Sequence, residues 1–196
     1  MNILGKIIAH KKKEVEERRS LLPIKELERS DYFSRKTFSL KKALLNDSGS
    51  GIIAEFKRRS PSKGIINVDV DVREVTAGYA KAGASALSIL TDTDFFGGTS
   101  EDVIASRQGN TLAILRKEFI IDEYQIVEAK AMGADVILLL ANVLTAREIK
   151  QFSTTAKFLG LEILLEIRDK SELKSVNMLV DCVGVNNRNL KDFKVN

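Results

Sequence analysis

With 196 residues, 44% hydrophobic and 30% charged, the chain is long enough for one substantial core and too ordinary in composition for a disordered, collagen-like or fibrous protein. No apolar run approaches the roughly 20 residues that span a bilayer, and the first residues lack the apolar centre of a signal peptide, so no membrane partner and a cytoplasmic location are expected. The net charge of +4 is local: residues 1–50 carry 12 of the 31 basic and 7 of the 27 acidic side chains, which leaves 19 against 20 for the rest.

In chain order, apolar positions at Ile3, Leu4, Ile7, Ile8 and Val15 predict a first helix over 2–19. Its basic residues alternate with acids from Lys11 to Arg19, the pattern of a solvated helix laced with i,i+4 pairs. No aromatic residues are interleaved for base stacking, so no nucleic-acid partner is expected. The lone His10 reads as a surface residue beside Lys11, Lys12 and Lys13. A short helix over 39–45, capped by Ser39, precedes a polar loop at 46–51. Residues 1–50 thus read as a helical extension and 51–196 as the main body.

From Gly51 onward the pattern changes. Apolar β-type runs at 52–56, 86–90, 112–115, 136–140, 163–165 and 179–185 alternate with helical segments at about 71–82, 100–107, 122–132, 145–158 and 169–176. Three helices approach the next strand through Gly83, Gly133 and Gly160, where a left-handed C′ residue is expected. No hairpin signal interrupts the series. Six βα units predict a parallel sheet covered by helices, either doubly wound or barrel. The first strand is followed by Lys57-Arg58-Arg59-Ser60-Pro61-Ser62 rather than by a glycine-rich turn, which favours a (β/α)8 TIM barrel. Cys182 reads as core packing; a single cysteine forms no internal disulfide and no cysteine-based metal site.

Strand C-termini in such folds open on one face, and alternation assigns side chains to it. Glu55 and Lys57 share a face of the first strand, Lys117 and Phe119 of the third, Glu166 of the fifth, and Asn186 and Arg188 of the sixth. Two lysines, two glutamates, an asparagine and an arginine therefore ring one mouth. Arg58, Arg59, Arg116, Glu118 and Arg168 read instead as ordinary solvated residues where strands leave the core.

The segments Ile53–Ser62, Leu90–Gly98, Leu115–Gln125 and Val183–Leu190, in this order and spacing, resemble those of the indole-3-glycerol phosphate synthase family, as does the basic helical extension. The resemblance implies a phosphate-binding (β/α)8 barrel that closes the indole ring of 1-(2-carboxyphenylamino)-1-deoxyribulose 5-phosphate with loss of carbon dioxide and water. No cofactor and no metal are implied. Carried over by position, Lys117 is the general acid and Glu166 the acid or base of the dehydration. Lys57 holds the substrate's carboxylate and phosphate by charge and is a second candidate for the acid of the dehydration, with Ser60 assisting at the carboxylate. Glu55, Asn186 and Arg188 complete the polar ring, and Phe96 and Phe119 pack the aromatic ring.

Family members continue through two further βα units that bind the substrate phosphate, whereas the chain stops after the sixth strand. A barrel truncated there is expected to be poorly active and to self-associate through its unpaired edges. Other enzymes of tryptophan synthesis are the further partners implied. Two other readings stay open: an inert folding or assembly fragment of that barrel, and a related phosphosugar isomerase such as phosphoribosylanthranilate isomerase.

Overall fold

The computed structural model describes residues 3–186. The chain runs α1 (Ile3–Leu21), α2 (Ile24–Leu27), α3 (Leu40–Leu44), β1 (Ile53–Phe56), β2 (Arg59–Ser60), β3 (Gly64–Ile65), α4 (Val72–Lys81) and β4 (Ala86–Leu90). It continues through α5 (Thr93–Phe96), α6 (Ser100–Gly109), β5 (Ala113–Lys117), α7 (Glu123–Ala131), β6 (Val136–Leu140), α8 (Ala146–Phe158), β7 (Glu162–Ile167), a 3-10 turn (Lys170–Ser175) and β8 (Cys182–Val185). The order β1-β4-β5-β6-β7-β8 is parallel throughout, a curled six-stranded part of a TIM barrel.

Alternation along these strands divides the apolar core in two. Phe56, Leu87, Ile89, Ile114, Ile137, Leu139, Ile163 and Leu165 face outward and pack with buried residues of the covering helices, such as Ile126, Ile149 and Phe152. Ile53, Ala86, Ala113, Leu115, Val136, Leu138, Leu164 and Cys182 face inward, where Leu40 and Leu44 of α3 join them. The extension therefore fills one end of the half-barrel. Ser39 caps α3 by accepting from the Lys42 N–H, and Glu162, the first residue of β7, accepts from the Ser39 hydroxyl at 2.5 Å and from the Lys41 N–H at 3.0 Å. Asp135, fully buried before β6, accepts from the backbone N–H groups of Phe38 and Ile114 at 2.8 Å each and pairs with Arg35 and Arg107. The predicted glycine exits are present: Gly83, Gly133 and Gly160 have φ of 90°, 88° and 74°.

Several expectations need correction. A two-stranded antiparallel hairpin, β2 with β3, does interrupt the series after β1. The last predicted helix is a 3-10 turn, and α2 and α5 are additional short helices. The larger correction concerns charge. Arg116 and Glu118 are not solvated strand ends but are 0% and 2% exposed, and Lys11 on the supposedly solvated helix is 1% exposed. Arg116 donates to the Gln125 carbonyl at 2.6 Å and pairs with Glu128 at 3.1 Å, while Lys11 lies 3.1 Å from Glu118 and 3.0 Å from Asp92. Their burial is tolerable because each charge meets opposite charge drawn from another element. Arg58 is likewise engaged, by a two-pronged pair with Asp102 at 2.6 and 2.8 Å, whereas Arg168 is exposed as expected. His10, half exposed, lies 2.5 Å from Asp94.

Candidate active site

A cavity of about 410 Å³ opens at the C-terminal ends of the strands. Glu55 and Lys57 enter it from β1 and its exit, Lys117 from the end of β5, Glu166 from β7, and Asn186 just beyond β8. Ser60, Phe96 and Phe119 line it too, so eight of the nine expected site residues converge there. The ninth, Arg188, lies outside the described residues. The convergence follows from the parallel register. Leu90 pairs with Lys117 and Leu140 with Glu166, which brings the polar strand ends to one level.

Glu55 is the electrostatic centre of one side. Its Oε1 accepts from Lys57 Nζ at 2.5 Å, its Oε2 lies 4.0 Å from Lys117 Nζ, and Ser88 donates at 3.5 Å. Burial alone pushes the Glu55 carboxyl up, but the Lys117 charge and the Lys57 hydrogen bond outweigh it and hold the group below its ordinary range. Glu55 thus stays ionised and keeps two ammonium groups close together. Across the cavity Asn186 Nδ2 donates to Glu166 Oε1 at 3.0 Å, which fixes the orientation of a carboxylate that lines the cavity. The rings of Phe96 and Phe119 pack against each other, 6.0 Å apart at 41°, and give the cavity an apolar wall. Ser60, buried on the hairpin, accepts from the Lys63 N–H at 3.2 Å.

Such a site holds proton donors and acceptors at fixed positions, cations for an anionic substrate and an apolar wall for a flat ring. Some lining residues were not anticipated. Asn142 follows Leu138 and Leu140 on the inward side just after β6, and period-two counting carried past the strand end would have found it. Ile3, Leu4 and Ile7 form a wall contributed by α1. Nothing local in the sequence says which strands a helix at the other end of the chain will cross.

The family model for indole-3-glycerol phosphate synthase matches residues 4–196. An indole-3-glycerol phosphate synthase of Bacteroides thetaiotaomicron is 46% identical over 192 residues, covering 98% of this chain and 74% of the relative. Those of Thermoanaerobacter pseudethanolicus and Bordetella pertussis are 40% and 39% identical, again over 98% of this chain and covering 74% and 75% of the relatives. The carboxyl transferase domain of Rhizobium etli pyruvate carboxylase with 3-bromopyruvate superposes on 70% of this chain and 28% of its own with a TM-score of 0.49 at 15% identity, too distant to bear on function. The chain belongs to the indole-3-glycerol phosphate synthase family.

Proposed function

We propose that this mouth closes the indole ring of 1-(2-carboxyphenylamino)-1-deoxyribulose 5-phosphate through the residues named above. The observation that carries the reading is the meeting of the Lys57 and Lys117 ammonium groups, the Glu55 and Glu166 carboxylates and an aromatic pair in one cavity. As the ring carbon bearing the carboxylate attacks the ribulose carbonyl carbon, the carbonyl electron pair moves to oxygen and Lys117 supplies a proton there. Carbon dioxide then leaves and its bonding pair returns to the ring. In the dehydration that follows, the new hydroxyl departs as water and the adjacent carbon loses a proton; Glu166, oriented by Asn186, exchanges these protons. Lys57 holds the substrate's carboxylate and phosphate, with Ser60 at the carboxylate. Because Lys57 is paired with Glu55 at 2.5 Å before substrate arrives, binding exchanges one anionic partner for another. Phe96 and Phe119 pack against one side of the aromatic ring. A cytoplasmic location and contact with other enzymes of tryptophan synthesis belong to the same proposal.

The test follows the fluorescent indole product. Lys117→Ala should abolish its formation, while Arg168→Ala, an exposed change after β7, should alter the rate by no more than about twofold. Turnover that survives Lys117→Ala, or equal losses in the two variants, overturns the assignment.

A further inference from the structure

The first helix reaches the cavity through Ile3, Leu4 and Ile7, and one turn beyond Ile7 stands Lys11. Lys11 does not line the cavity, yet it is among the most buried side chains of the protein. Its Nζ lies 2.6 Å from Glu14, 3.0 Å from Asp92 and 3.1 Å from Glu118. Held by charge rather than by well-aligned hydrogen bonds, it joins α1 to the exits of both β4 and β5. Those exits carry cavity groups. Asp92 caps α5, which presents Phe96, and Glu118 stands between Lys117 and Phe119, with its Oε1 accepting from the Phe119 N–H at 2.8 Å.

The other anchors of α1 lie farther from the cavity or are weaker. Tyr124 donates to the carbonyls of Arg18 and Leu22, and Arg18 pairs with Glu128 at 3.7 Å, all at the C-terminal end of the helix. His10 with Asp94 is half exposed and contributes little. From Lys11 to Ile3 the helix runs about 12 Å, so a small tilt at Lys11 becomes a displacement of the wall. Resting on the function proposed above, we propose that Lys11 is a positioning residue for the ring-closure reaction. It sets how deeply the α1 wall of Ile3, Leu4 and Ile7 sits over the substrate's aromatic half, opposite Phe96 and Phe119.

Affinity for the substrate is measured through its anthranilate fluorescence in a Lys117→Ala background, which stops turnover, with and without Lys11→Met and Leu4→Ala. Lys11→Met should weaken binding about tenfold, the effect of losing one good apolar contact on a ring. If Lys11 acts through the wall, the same change in a Leu4→Ala background should weaken binding by less than about threefold. Removing one member of a buried ion cluster also threatens folding. The paired change Lys11→Met with Glu14→Gln, which leaves the net charge of the cluster unchanged and touches no cavity-lining residue, is therefore run beside it, with the melting temperature of each variant recorded. A loss of melting temperature with unchanged affinity in the folded variants makes Lys11 merely structural and overturns the proposal, as does an equal loss of affinity in both Leu4 backgrounds. A Lys117→Ala parent that binds no substrate at all overturns the functional reading instead.

Discussion

Replacing Arg116 by methionine tests whether the charges beneath the mouth support the fold. Methionine keeps most of the side chain's length and removes the guanidinium, which donates to the Gln125 carbonyl at 2.6 Å, pairs with Glu128 at 3.1 Å and lies 4.0 Å from Glu118. Among the described residues Glu128 then keeps Arg18 at 3.7 Å as its ion-pair partner, and Glu118 keeps Lys11 at 3.1 Å with the charge of Arg18 farther off. Breaking a buried ion pair from one side costs about 3–5 kcal/mol, against a total stability for an ordinary domain of about 5–15 kcal/mol. With a urea dependence of about 2 kcal/mol per molar, the midpoint of unfolding followed by circular dichroism should fall by about 2 M. Acid should narrow the gap. Burial by itself raises the Glu118 pKa, but Lys11 and then Arg116 hold it below the ordinary 4.5. A folded-state value below the unfolded one gives stability that is present above about pH 4.5 and is lost as pH falls through the folded value. Without Arg116 the Glu118 carboxylate takes up its proton more readily, so the penalty at pH 7 should shrink toward pH 4. A midpoint within about 0.3 M of the parent at pH 7, or a gap that widens in acid, would refute the reasoning.

The Glu55 carboxylate, also held low by its two lysines, should show the same sign: Glu55→Gln should lower the melting temperature more at pH 7 than at pH 3, and a pH-independent difference would mean that the pairs at 2.5 and 4.0 Å contribute nothing. At Gly98 a Cβ would collide with the Leu90 carbonyl oxygen, so Gly98→Ala should cost at least about 1–3 kcal/mol; Gly109→Ala, where a Cβ meets open space, should be neutral or slightly stabilising, and equal effects in thermal unfolding would deny the close approach.

What the sequence made legible was periodic. Short β-type runs separated by helical spacing gave the parallel architecture, and strict alternation near strand ends put Glu55, Lys57, Lys117, Glu166 and Asn186 on the inward side, where they all line one cavity. What stayed hidden depended on distant partners. Lys11 looks like its exposed neighbours Lys12 and Lys13, because only the fold brings Glu118 to it across 107 positions. Arg116 reads as an ordinary strand end for the same reason: it points to the helix side of β5, where Glu128 of α7 waits. The hairpin after β1 escaped because each of its strands has only two residues, too few for any period to show.

Asp135 has a consequence for the order of assembly. It holds the Phe38 N–H and Arg35 from the far side of roughly half the chain, at separations of 97 and 100 residues. Contacts that distant close late, since the loop entropy must be met before they form. On a ribosome adding about 5–20 residues each second, the segment around residue 38 leaves first and waits on the order of 5–20 s for its carboxylate to be made. During that interval Leu40 and Ile7 have no barrel to enter, so the nascent extension holds apolar side chains in water that the finished fold buries.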